Sequence, residues 1–75
     1  MFCKGYTRAG TDSTTGKPLV IADLLTKTAP ATMPTTTDNI DNVGAGMLLA
    51  PGSTLMETNP FKLSFLNDEY EWDEV

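Results

Sequence analysis

Seventy-five residues make one small domain, and a chain of this size buries only about 60% of its unfolded surface. It has a single cysteine and no histidine, so an internal disulfide is excluded and a structural zinc site is not expected. A net charge of −5, with only five scattered basic residues (Lys4, Arg8, Lys17, Lys27 and Lys62), argues against a direct nucleic-acid partner. Oligomerisation or docking on a larger partner is the remaining support for so small a core.

Residues 1–16 hold two large apolar side chains, Phe2 and Tyr6, among Gly5, Gly10, Gly16 and a run of Thr, Ser and Asp. This composition predicts a flexible or anchoring arm whose aromatics contact a neighbour. Residues 17–75 form the domain proper. Leu19, Val20 and Ile21 are β-prone, and Pro18 fits the first position of a strand, which is predicted over 18–23. Thr26–Thr37 reads TKTAPATMPTTT. Pro30 and Pro34 remove amide donors and keep their predecessors out of the helical region, so 26–37 is an extended segment. It reads either as a linker or as a strap across a partner, with Pro30, Met33 and Pro34 in contact.

Asp38–Val43 is a surface turn ended by Gly44-Ala45-Gly46. That Gly-x-Gly has no strand–turn–helix unit around it, and the acids near it lack the closing Glu of an EF-hand loop. Met47–Glu57 places Pro51-Gly52 between two apolar runs. Proline followed by glycine is the preferred centre of a type II turn, which predicts short strands over 46–50 and 53–58. Asn59-Pro60 makes a second bend.

Phe61–Val75 holds four of the six aromatics. Phe61, Leu63 and Phe65 alternate with Lys62 and Ser64, the period of a half-buried strand. A terminal hairpin over 61–75 is predicted, with strands 61–66 and 70–75, a turn at Asp68-Glu69, and Phe65 opposite Trp72. The expected core is Leu19, Ile21, Leu48, Leu55, Phe61, Leu63, Phe65, Tyr70 and Trp72, with the Trp72 ring fully buried. The fold class is mostly β: a small antiparallel or hairpin-based sheet with an extended N-terminal arm and a Thr/Pro-rich segment.

Chemistry is sparse. No histidine stands near Ser13, Ser53 or Ser64 to act as a base. The acids after Asn67 alternate outward along a strand rather than converging on a pocket. The reading is a non-enzyme with no catalytic, cofactor or metal residues and no cofactor. No apolar run is long enough for a membrane helix, so no membrane partner is expected. Four of the five basic residues lie in the first 27 positions and five of the ten acids follow Asn67. That polarity suits head-to-tail contact between copies, as well as solubility.

Three stretches carry a resemblance: TKTAPATMPTTT, then Met47-Leu48-Leu49-Ala50-Pro51-Gly52-Ser53-Thr54-Leu55, then Phe61–Val75 with Trp72 near its end. In this order they resemble small virion proteins of tailed bacteriophages, of the capsid-decoration or head-accessory type. The likeness covers residues 26–75 and departs from the pattern at the hairpin turn, where a glycine is expected and Asn67-Asp68-Glu69 stands. It implies a structural protein of a phage particle, made in a host cytoplasm and located in the virion. Its role would be that of a capsid-associated decoration or stabilising subunit. The implied partners are the major capsid protein or other virion subunits, with many copies or a homo-oligomer on a symmetric shell. The alternative from the residues is a small acidic inhibitor of a host nucleic-acid-binding protein.

Overall fold

The computed structural model describes all residues from Met1 to Val75 and contains six strands and no helix. These are β1 (Phe2–Thr11), β2 (Pro18–Thr26), β3 (Leu48–Leu49), β4 (Thr54–Thr58), β5 (Phe61–Leu66) and β6 (Trp72–Glu74). They form one sheet in the order β1-β2-β4-β5-β6, with β3 beside the first part of β2. The mostly β fold read from the sequence is the fold adopted. The sheet is mixed, however: β1–β2, β4–β5 and β5–β6 are antiparallel, whereas β2 runs parallel to β3 and β4.

The predicted N-terminal arm is a strand. Residues 2–11 pair with β2 along their whole length, from Phe2 opposite Leu25 to Thr11 opposite Pro18. The glycines that suggested a loop go with two irregularities in this pairing, between Cys3 and Gly5 and between Arg8 and Gly10. An extra residue at each point lets the strand continue while changing its twist. Asp12 organises the turn into β2. Its carboxylate accepts from the Thr15 amide and hydroxyl, and the Gly16 amide donates to Asp12 O.

Strand β2 is the spine, and the Ala50-Pro51-Gly52-Ser53 turn is built around it. Leu19 and Val20 pair with β3, and Asp23–Thr26 pair with β4. The turn between these two partners has the Ser53 N–H to Ala50 O bond of a β-turn at 3.2 Å, with Gly52 at φ 100°, as a Pro-Gly centre requires. It leaves a gap in the ladder at Ala22. The Ser53 hydroxyl fills that gap: it accepts from the Ala22 amide at 3.1 Å and donates to Ala50 O at 2.8 Å. Both Ser53 and Ala22 are buried.

The core lies on one face of the sheet. Cys3, Val20, Ala22, Leu24, Leu49, Leu55 and Leu66 come from the strands and Ile40 from the long connection between β2 and β3. That connection is the cover, and its Met33, Val43 and Met47 pack against the core. Burying each Leu or Ile here contributes roughly 1.5–3 kcal/mol. Thr37 holds the cover in shape from a buried position. Its hydroxyl donates to Gly44 O at 2.7 Å and accepts from the Met47 amide at 3.2 Å. The Thr/Pro segment predicted as extended leaves β2 after Thr26 and bends repeatedly, at residues 27–28, 31–32, 35 and 37. It returns to its own sheet through a bridge between Thr36 and Leu48 and a bond from Leu49 N to Thr35 O.

The predicted core is corrected at seven of its nine positions: only Leu55 belongs to the core, and only Trp72 packs against it. Leu55 is buried, and Leu19, Leu48, Leu63 and Trp72 are half-buried, but Ile21, Phe61, Phe65 and Tyr70 are exposed. In β5 the reason is register. Leu66 stands opposite Trp72, and Phe65 opposite Asp73, so the expected Phe65–Trp72 pair is off by one residue. A one-residue slip moves a side chain to the other face. In β2 the strand is apolar on both faces, and Val20, Ala22 and Leu24 take the core instead of Leu19 and Ile21.

Candidate functional site

The side of the sheet away from the cover has no second layer. Strand alternation, together with the pairing, sends a continuous apolar set to it. Phe2 pairs with Leu25, Leu25 with Met56, and Met56 with Leu63, giving a row across four adjacent strands. The Val75 amide donates to Leu63 O at 2.8 Å and carries the row to the far edge. A second row runs from Asp23 through Thr54 and Phe65 to Asp73. Ile21 lies over Gly52, where an added Cβ would sit 3.7 Å from its side chain. Phe61 is 68% exposed and Val75 77% exposed, with Phe2, Ile21 and Phe65 also open to solvent. At one end, a depression of about 340 Å³ is bordered by Phe2, Leu25, Lys27 and Thr58.

Two polar pairs on this face are satisfied within the chain. The Thr54 hydroxyl donates to Asp23 Oδ1 at 2.9 Å, and Asn67 Nδ2 donates to Asp73 Oδ2 at 2.8 Å. Such a face has hydrocarbon and aromatic surface to offer a partner. Contiguous apolar patches on soluble proteins, where they are large, mark surfaces that meet a partner.

The residues expected to touch a partner are dispersed. Phe2 is on the open face. Tyr6 is exposed too, yet it stands opposite Ala22, a core-face position, because the irregularity between Cys3 and Gly5 inverts the alternation. Pro30, Met33 and Pro34 are half-buried in the cover and mainly serve their own chain. Met33 packs on the core, and Pro34 O accepts the Trp72 indole N–H at 2.8 Å. Together with Met1, Thr28 and Ile40 they border a cleft of about 530 Å³ whose side chains offer hydroxyls, an amide and hydrocarbon.

The open-face residues Leu25 and Met56 were missed from the sequence. Their signal was present in β2 and β4, which carry large apolar residues at both parities, Leu19, Ile21 and Leu25 beside Val20 and Leu24, and Met56 beside Leu55, and β5 shows the same with Phe61, Leu63 and Phe65 beside Leu66. A strand apolar on both sides wants burial on both sides, and a chain of this length supplies one cover.

Two carboxylates are tuned by local hydrogen bonds. The Gly46 amide, 2.8 Å from Asp38 Oδ1, holds that carboxyl below its ordinary range, with Thr36 assisting. Thr15 does the same for Asp12 through its hydroxyl and amide. Both lie in turns and shape the backbone there. No protein-family model, curated protein or solved structure matches the chain.

Proposed function

We propose that this chain is a structural subunit of a phage-type particle, a capsid-associated decoration or stabilising protein present in many copies and acting through protein–protein contacts. The observation that carries the reading is the uncovered apolar face, with its row Phe2–Leu25–Met56–Leu63 and the exposed Phe61 and Phe65. In this reading the face is the buried side of the subunit in the particle. The loop-covered side holds the fold together and faces away. The order of the Thr/Pro segment, the Ala-Pro-Gly-Ser turn and the Trp-bearing hairpin supports the particle class by resemblance.

The test is reconstitution. Particles are prepared from a host in which the coding sequence is deleted, and purified chain is added back. Saturable co-sedimentation is expected, together with greater resistance of the shell to heat. The Phe61→Lys/Phe65→Lys variant should lose about tenfold or more in affinity, because each burial forfeited is of the order of 1.5–3 kcal/mol. Wild-type chain that stays in the supernatant would sink the proposal.

A further inference from the structure

The two edges of the sheet differ in charge. β1 forms one edge and β6 the other. β1 carries Lys4 and Arg8 and no acid, and β6 with its approach carries Asp68, Glu69, Glu71, Asp73 and Glu74 and no base. A ten-residue edge strand is a hazard unless most of it is blunted. In β1 the blunting leaves one short window. Asn42 closes the start, its side-chain amide bonded both ways to the Cys3 backbone at 2.7 Å, while the Asp41 amide donates to Met1 O. The irregularity before Gly5 and the one after Arg8 interrupt the strand on either side of a regular stretch, Gly5–Arg8, which pairs with Asp23–Val20. Apart from the local Cys3 Sγ to Gly5 O contact of 3.3 Å, no hydrogen bond from another part of the chain reaches this stretch on its outer side. No hydrogen bond reaches the outer edge of Trp72–Glu74 either.

We propose that copies of this chain join head to tail, the Gly5–Arg8 window of β1 in one copy adding to the outer edge of β6 in the next. The four-residue window is long enough to pair all three residues of β6. Lys4 precedes the window and Arg8 ends it, while Glu71 precedes β6 and Glu74, which also pairs with Lys62 at 3.7 Å, ends it, so opposite charges meet in either strand direction. Such a contact joins two different patches of the same molecule, and it closes into a ring or continues as a filament according to the rotation per step. The sheets of successive copies then make one larger sheet, and their apolar faces become one surface. The inference rests on the proposed assembly role only in taking the chain to work in many copies.

Sedimentation velocity and native mass spectrometry of the purified chain test it. At about 50 mM NaCl the chain is expected to run larger than a monomer, and its association should weaken about tenfold or more near 0.5 M, as steering charges are screened. Lys4→Glu/Arg8→Glu gives two acidic edges, and Glu71→Lys/Glu74→Lys puts a lysine on either side of Trp72-Asp73, reversing the charges that would meet Lys4 and Arg8. Each is expected to be monomeric while keeping the wild-type circular dichroism. Lys4→Gln/Arg8→Gln replaces the first should reversal disturb β1. Mixing the two reversed variants should restore the larger species, and so should all four changes in one chain. A wild-type chain that stays monomeric at about 1 mM overturns the proposal, as steered edge pairing should be populated well below that. Equally fatal are a larger species that neither reversal affects and reversed monomers that no combination rescues. A monomer that still binds particles would overturn the edge pairing and leave the assembly role standing, whereas a salt-sensitive oligomer that ignores particles would do the reverse.

Discussion

Ser53 shows how much one side chain can decide. Its hydroxyl takes the place of a backbone carbonyl where β2 changes partners. Ser53→Ala removes the acceptor for a buried amide, and an orphaned buried donor costs about 1–3 kcal/mol. Chemical denaturation should report a loss in that range with an unchanged slope. Tyr70 is a different case. It adopts φ 61° in the β5–β6 turn, with its side chain exposed. Asn67 imposes this geometry: its Oδ1 accepts from the Glu69 and Glu71 amides, and its backbone oxygen from the Tyr70 amide. The glycine expected in this turn therefore has a place, and it is position 70. Left-handed backbone costs an L-residue roughly 1–2 kcal/mol, partly offset by the greater unfolded-state freedom of glycine. Tyr70→Gly should leave stability unchanged or raise it by up to about 1 kcal/mol, read as a shift in melting temperature.

At the scale of elements, the β2–β3 connection is the part most dependent on local polar bonds. The Asp38 carboxylate accepts from the Gly46 amide and ties the middle of the cover to its last residues. Its folded pKa is depressed, so its contribution is present above the ordinary carboxylate range and is lost as pH falls through the lowered value. Wild-type melting temperature should therefore decline at acid pH, and Asp38→Asn should narrow that decline. Equal acid sensitivity in the two proteins would refute the assignment. Trp72 belongs to this scale as well. Its half-buried ring ties the terminal hairpin to the cover through the indole N–H bond to Pro34 O.

The strands β2, β4 and β5 were legible in the sequence because alternation and the Pro-Gly and Asn-Pro turns are local signals. β1 was not, because its glycines read as a loop while serving a bulged edge strand. The facing of Phe65 was hidden for another reason. A turn of residues 67–71 and a two-residue turn differ in parity, and parity alone assigns the face. The open apolar face could be read from residues at both parities of β2 and β5, but its continuity depends on a parallel pairing between distant segments. Over the whole molecule, that face adds little to the stability of the isolated chain. Phe61→Lys/Phe65→Lys is expected to shift unfolding free energy by no more than about 1 kcal/mol, since exposed sites away from special features change it by about 0.5 kcal/mol each. The same change should reduce binding of an apolar fluorescent dye to the folded protein. A severe loss of stability would mean the two rings are part of the core.

The divided pairing of β2 also has a consequence in time. The β1–β2 hairpin and the β4–β5–β6 meander each close through neighbouring segments, but they meet only along the parallel seam where Asp23 stands opposite Thr54. Closing that seam encloses the whole β2–β4 connection, and non-local closure is the slow kind of event in small proteins. Two preformed halves that dock late would expose the inner apolar face of each to solvent, and to other chains, before the seam closes. Ser53 lies at the start of the seam. If docking is the rate-limiting step, Ser53→Ala slows refolding by most of its equilibrium cost, and stopped-flow measurement of the two rates would show it.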